Sequence, residues 1–559
     1  MTRFSHVISL GFAILGLAAC GGAHKPPPLP AEAANSVAPH DNLSRIVDRY
    51  WEERAIPGRP LSPQLLADSL ALERRYLAEL LAVPRSGLDD GAKLTYDMFR
   101  RQREMSIEMF TYPGELLPVN PFDGPPQQLV RAAAQARQHP LRSLQDYQNW
   151  LLRIDEYQQW TEQAIANMRE GMRRGYTSPR VLMERLLPWL QALGEDTPAN
   201  VLYAAWRTLP QSIAEPDRAR MSADLNGAVK AKLLPAFRQL HDFIQREYLP
   251  RARVSLALSA LPLGASWYAT LVKRATGTQL TPNEIHGTGT ADVERLHTRL
   301  LALTAPTAAP PAAGGDWSSA YQDLKAQTLA AMPTLFAGAP PADFDIRAAA
   351  QVGAAGSPLD YQPASPGGVA AVLYVDSAAG VDVAAFLREA IPGRHYQSAV
   401  QRQRGDLPKF RRFGAEPAFV EGWALYGASL GEELGLYRDD AAKRQAVLAD
   451  LACAAALVVD TGLQTNNWTR AQAVDYLRAQ LAVDEAAAGL MTDRFVAFPG
   501  DALACKIGEQ KIQALRARAQ QSLGARFDVR DFHSEILKDG AMPLDLLQAK
   551  MQLWMEARR

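Results

Sequence analysis

The chain has 559 residues, with 60 Lys and Arg against 60 Asp and Glu, and a net charge of zero excludes the electrostatic route to nucleic acid or acidic lipid. Hydrophobic residues at 47% and charged residues at 21% are globular proportions that exclude a disordered or collagen-like chain, and the length is about three to four times that of a typical single domain. Three cysteines with no C-x-x-C pair exclude a disulfide scaffold or a thiolate metal cluster, so any metal has to be held by His and carboxylate.

At the N-terminus Arg3 supplies a positive charge, Val7 to Leu17 a short apolar stretch, and Leu17-Ala18-Ala19-Cys20 is followed by Gly21-Gly22. This order resembles a bacterial lipoprotein signal. The resemblance implies that residues 1–19 are removed and that Cys20 is lipidated as the new N-terminus, which makes the membrane a partner. Gly21 stands where an Asp often retains such proteins at the inner membrane, so the expected location is the outer membrane, facing the periplasm. Residues 20–40, rich in Pro, Ala and Gly, read as the lipidated Cys and a flexible tether. A helical domain over 41–559 is expected to follow, with a candidate lobe boundary near 304–342. No other stretch reads as the run of about 18 apolar residues that spans a bilayer.

Helical periodicity dominates from there. Ser62-Pro63 reads as an N-cap and first helical residue, followed by Leu65, Leu66, Leu70, Leu72, Tyr76, Leu77, Leu80 and Leu81 along one broad apolar face. Thr281-Pro282-Asn283-Glu284 and Thr469-Arg470-Ala471-Gln472 are capping boxes. Thr304 to Gly315 and Ala337 to Ala342, full of Pro, Ala and Gly, read as loops. The best strand candidate is Val369 to Val375.

Five motifs follow in order. Phe386 to Gln397 read F-L-R-E-A-I-P-G-R-H-Y-Q, and Phe419 to Tyr426 read F-V-E-G-W-A-L-Y. Ala456 to Gln464 read A-L-V-V-D-T-G-L-Q, Pro499 to Gly508 read P-G-D-A-L-A-C-K-I-G, and Phe532-His533 closes the set. Together with Leu261-Pro262-x-Gly264, Tyr268 and Glu284-Ile285-His286, this sequence resembles the bacterial family called domain of unknown function 885. The family pattern is H-E-x-x-P-G-H-[H], F-x-E-G-W-A-x-Y, R-L-V-x-D-T-G-x-H, P-G-Q-A-x-x-Y-K-I-G and F-H. That family is similar to helical zinc metallopeptidases. The resemblance implies a mostly α, multi-helix metallopeptidase-like fold with a central cleft and at most a small β element. It places metal ligands at position 388, at 394 or 395, and at Glu421, with Glu389 as general base.

The chain departs from that pattern at the metal. Residues 388 and 394 are both Arg, and a guanidinium has no acceptor lone pair and repels a cation. His395 and Glu421 remain as metal candidates, two where a catalytic zinc needs three protein ligands. Ala456, Gln464 and Asp501 also replace the family's Arg, His and Gln. The candidate cleft set is therefore Arg388, Arg394, His395, Glu421, Asp460, Gln464, Asp501, Lys506 and His533, with Glu389 beside it. If Glu389 and Glu421 converge, Arg388 and Arg394 supply the positive charge that a dication would otherwise bring.

Three functions are open at this point. The first is a non-catalytic lipoprotein that binds a peptide or protein and needs no cofactor. The second is a zinc-dependent peptide hydrolase using His395, Glu421 and Glu389, and the third is metal-free acid–base chemistry by Glu389 and His395. Asp460-Thr461-Gly462 reads as a helix end stopped by Gly. Cys453 and Cys505 stand either as a disulfide, with roughly 4 kcal/mol of loop-closure stabilisation, or as two buried thiols.

Overall fold

Capping decides where many of the helices begin. Ser62 accepts a hydrogen bond from the Leu65 amide ahead of the helix Pro63–Leu81. The box at Thr281 and Glu284 opens Pro282–Leu301, and the box at Thr469 and Gln472 opens Arg470–Leu481, each with both reciprocal bonds formed. The structure, a computed structural model, describes residues 38–54, 61–135, 143–206, 209, 213–304, 316–338, 340, 342–348, 358–365 and 370–559. The signal sequence, Cys20 and the tether as far as residue 37 lie outside the described residues, as do 305–315 of the expected boundary. The first described helix, Pro39–Glu53, takes in the last two residues assigned to the tether.

The fold is mostly α-helical with one small sheet. In that sheet β1 (Phe344–Ala348) pairs parallel with β3 (Ala371–Val375), and β2 (Leu359–Gln362) pairs antiparallel with it, so β3 is central. The strand expected at 369–375 is β3, and Val369 itself lies outside the described residues. β1 and β2 were not picked out, although F-D-I-R-A and L-D-Y-Q alternate apolar and polar residues as half-buried strands do; each run is only four or five residues long.

Two apolar cores share the helices Pro282–Leu301 and Asp440–Thr465. The first joins Tyr76 and Phe99 near the N-terminus to Leu373 of the sheet and to Phe386, Phe419, Trp423 and Phe532 of the motifs. The second is built on Ile154, Leu190, Phe237 and Leu240. The helix Asp440–Thr465 sends Leu457 into the first core and Val459 into the second. It is long and apolar enough to cross a membrane, which the sequence reading overlooked, but most of it is buried as the spine of the fold. The helix also runs through Asp460-Thr461-Gly462 to Thr465, correcting the expected stop at Gly462. Gly462 has another role: a Cβ there would stand 2.6 Å from the Trp468 ring.

The apolar face of Pro63–Leu81 is narrower than its sequence suggests. Leu65 and Leu81 are more than half exposed, while Glu73 is buried on that face and accepts from the Tyr50 hydroxyl at 2.8 Å.

Candidate functional site

A chain reversal at Pro392-Gly393 assembles the candidate site. The helix Val383–Glu389 ends there and the helix Arg394–Gln403 begins. A Cβ on Gly393 would meet the Arg388 carbonyl oxygen at 2.0 Å, so only glycine lets the two helices follow so closely. The Trp423 indole N–H donates to the Pro392 carbonyl at 2.9 Å and ties this reversal to the helix Pro417–Ser429. That helix crosses Leu503–Leu523 backbone on backbone, with a Cβ on Gly422 placed 2.3 Å from the Gly508 carbonyl carbon.

Arg394 sits between both carboxylates. Its Nη1 and Nη2 donate to Glu421 Oε1 and Oε2 at 2.6 and 2.8 Å, and its Nε donates to Glu389 Oε2 at 2.9 Å. Burial opposes the Arg394 charge, but Glu389 and Glu421 more than offset it, so its pKa is raised. Arg388 lies behind, 1% exposed. Its Nη2 is 3.7 Å from Glu421 Oε2 and its Nε 3.8 Å from Glu389 Oε1, too far to hydrogen-bond. Its two terminal nitrogens point instead at sulfur, Nη1 at Cys453 Sγ (3.6 Å) and Nη2 at Cys505 Sγ (3.3 Å). Cys453 and Cys505 form a disulfide with Cα atoms 6.1 Å apart. Burial lowers the Arg388 pKa, with Glu389 and Glu421 acting the other way.

His395 is turned out of this cluster. Its Nε2 hydrogen-bonds the Ala342 carbonyl at 2.9 Å and must carry the proton, so its Nδ1 accepts from the Tyr361 hydroxyl at 3.1 Å. Burial pushes its pKa down to about 4. The ring thereby joins its helix to β2 and to the chain entering β1, and both nitrogens are engaged. The donor set does not fit zinc: the two Arg cannot ligate, His395 has no free lone pair, and Glu421 is held by Arg394. Among the described residues no group of three or more His, Cys, Asp or Glu side chains is arranged to hold a metal ion.

The remaining candidates form separate clusters. Lys506 bonds Asp450 at 2.5 Å and Glu509 at 2.9 Å, with Asp292 at 3.4 Å; burial opposes its charge, but these acids raise its pKa. Asp450 also stabilises the Arg388 charge, which links this cluster to the first. Asp460 is fully buried and accepts from the Tyr268 hydroxyl at 2.6 Å and from the Gly500 amide, and burial lifts its pKa to about 7. Gln464 accepts from the Leu258 amide at 2.6 Å, and Asp501 lies 3.6 Å from Arg274. His533 bonds the Tyr426 hydroxyl and the Leu335 carbonyl, both at 2.8 Å, and burial lowers its pKa to about 4. His286 bonds the Thr461 hydroxyl.

Sequence reasoning missed Tyr361, Asp292 and Asp450. The only local signal was Glu509, one helical turn after Lys506. A cavity of about 410 Å³ is lined by Gln191, Gly194, Glu195, Arg238 and His241, away from every motif residue.

Residues 57–551 match the family described as "Bacterial protein of unknown function (DUF885)", and the chain belongs to that family. A crystal structure of a "putative lipoprotein" from Colwellia psychrerythraea has a TM-score of 0.79 at 21% identity, covering 93% of this chain and 100% of that one. A "putative lipoprotein of unknown function" from Shewanella oneidensis has a TM-score of 0.67 at 15% identity, covering 94% of this chain and 99% of that one. At those identities the likeness is one of fold. No curated protein matches the chain.

Proposed function

We propose that this protein is a lipoprotein anchored through Cys20 at the outer membrane, facing the periplasm, in which an ionic lock fills the position of a family zinc site, and that it acts by binding a peptide or protein. The observation that carries this reading is the three-bond grip of Arg394 on Glu389 and Glu421. One oxygen of the base Glu389 and both oxygens of Glu421 are engaged by the guanidinium, and the site offers no cation the ligands that activate water. The partner class rests on the resemblance to peptidase folds.

The test is zinc stoichiometry on residues 21–559 after incubation with zinc and desalting. Retention well below one zinc per chain is the expected result. About one zinc per chain, lost on His395→Ala, would overturn the proposal in favour of a metal-dependent hydrolase using His395, Glu421 and Glu389. Peptide cleavage that is abolished by Glu389→Gln without bound metal would instead favour acid–base chemistry.

A further inference from the structure

A guanidinium that faces a disulfide is in an unusual position. Arg388 is buried, its Nε makes no hydrogen bond, and its nearest polar atoms are two neutral sulfurs. A disulfide sulfur is a weak acceptor and does little for a buried cation. A thiolate at the same place would be a full counter-charge 3.3 Å from Nη2. Glu421 and Glu389 lie at 3.7 and 3.8 Å, already bonded to Arg394, and Asp450 is bonded to Lys506. The arrangement is therefore more complementary to the reduced pair than to the oxidised one.

We infer that Cys453 and Cys505 are a redox-active pair, reduced by small thiols, in which Arg388 holds Cys505 as a thiolate. This goes beyond the binding role proposed above and does not depend on it. Both cysteines are buried, Cys453 fully and Cys505 at 1% exposure, so the exchange requires a local opening that admits the reductant; its thiolate then attacks Cys453 Sγ, the Cys453–Cys505 bond breaks, and Cys505 leaves as a thiolate against Arg388. A second reductant thiol then attacks the mixed disulfide at the reductant sulfur and releases Cys453 as a thiol. Two electrons pass from the two reductant thiols, which become a disulfide. Of their two protons one ends on Cys453 and one goes to solvent. A thiol next to Arg leaves more readily and is a more stable anion, so stabilisation of the reduced form makes the pair easier to reduce.

Reduction also changes the neighbouring lock. A thiolate at Cys505 adds a further negative charge beside Arg388, which then faces it as well as Glu421 and Glu389 at 3.7 and 3.8 Å.

The experiment equilibrates the full chain in glutathione redox buffers, from the oxidised and the reduced side, and reads the pair by alkylation and mass spectrometry. Glutathione does not reduce ordinary structural disulfides; it is expected to reduce this pair while the protein stays folded by circular dichroism. Arg388→Met should require at least a tenfold more reducing thiol-to-disulfide quotient, about 30 mV for a two-electron couple, and Arg388→Lys should stay near the wild type. Glu421→Gln, which removes a carboxylate competing for Arg388, should shift the pair the other way, and it keeps the test valid if Arg388→Met does not fold. A wild-type pair that glutathione leaves oxidised, or variants that all reduce at the same quotient, would overturn the inference.

Discussion

Replacing Arg394 by Met keeps most of the side-chain volume and removes the charge. In the native protein three charge-assisted hydrogen bonds at 2.6 to 2.9 Å satisfy Glu389 and Glu421, and Arg394 itself is 6% exposed. After the change both carboxylates lose these bonds, with Arg388 behind them at 3.7 to 3.8 Å. Breaking a buried pair by removing one partner costs about 3–5 kcal/mol, and the Arg394→Met variant should lose that much in equilibrium urea unfolding. The loss comes from stranded charge rather than lost contact, so adding Glu421→Gln should return part of it, with a coupling energy of about 1–3 kcal/mol in the double-mutant cycle. Arg394→Lys, which keeps the charge without the planar fork, should fall between the wild type and the Met variant. A loss below about 1 kcal/mol in Arg394→Met, the range of an exposed pair, would refute the idea that this ion cluster holds the site together.

Further outcomes are expected in the same framework. The double variant Arg388→His, Arg394→His places imidazoles at the two positions where the proposed zinc-site resemblance expects ligands, and should retain zinc after desalting where the wild type does not; elemental analysis reads this. Asp460 has its pKa raised by burial from 3.8 to about 7, so between those values the folded state binds more protons than the unfolded and stability falls as pH rises. Asp460→Asn should flatten that part of the urea-unfolding profile. His395 and His533 carry pKa values lowered by burial from 6.5 to about 4; there the unfolded state binds more protons, so their contribution is lost as pH falls from about 6.5 to 4. Tyr361→Phe, which removes the hydroxyl donated to His395, should cost about 1 kcal/mol at neutral pH. Gly508→Ala would set a Cβ 1.8 Å from the Ala418 carbonyl oxygen and should prevent soluble folding, whereas Gly227→Ala, with nothing within 4 Å, should gain about 0.5–1 kcal/mol in the same unfolding assay.

Much of the helical frame was legible because its signals are local. Both capping boxes formed where Thr281 and Thr469 placed them, since a cap depends on residues three apart. Glu73 and Gly462 show where local reading fails: a buried carboxylate on an apolar face needs Tyr50 from another helix, and a glycine inside a helix is explained only by the Trp468 ring. At the site an Arg–carboxylate cluster was expected, shared equally between the two Arg. In the structure Arg394 takes both carboxylates and Arg388 turns to the disulfide, a division fixed by the chain reversal at Gly393 and by Cys453 and Cys505 approaching from two other helices. His395 could not be placed from its motif, because its partners, Tyr361 and Ala342, lie in a segment with no recognised pattern.

The glycine crossing fixes how freely the parts beneath it can change. Where Gly422 meets Gly508 there is no layer of side chains to compress or repack, so the two helices behave as a welded joint. Glu421 stands one residue from the weld on one helix, and Cys505 and Lys506 stand within a turn of it on the other. The side chains mounted there can be exchanged for others of similar bulk while the frame keeps its spacing.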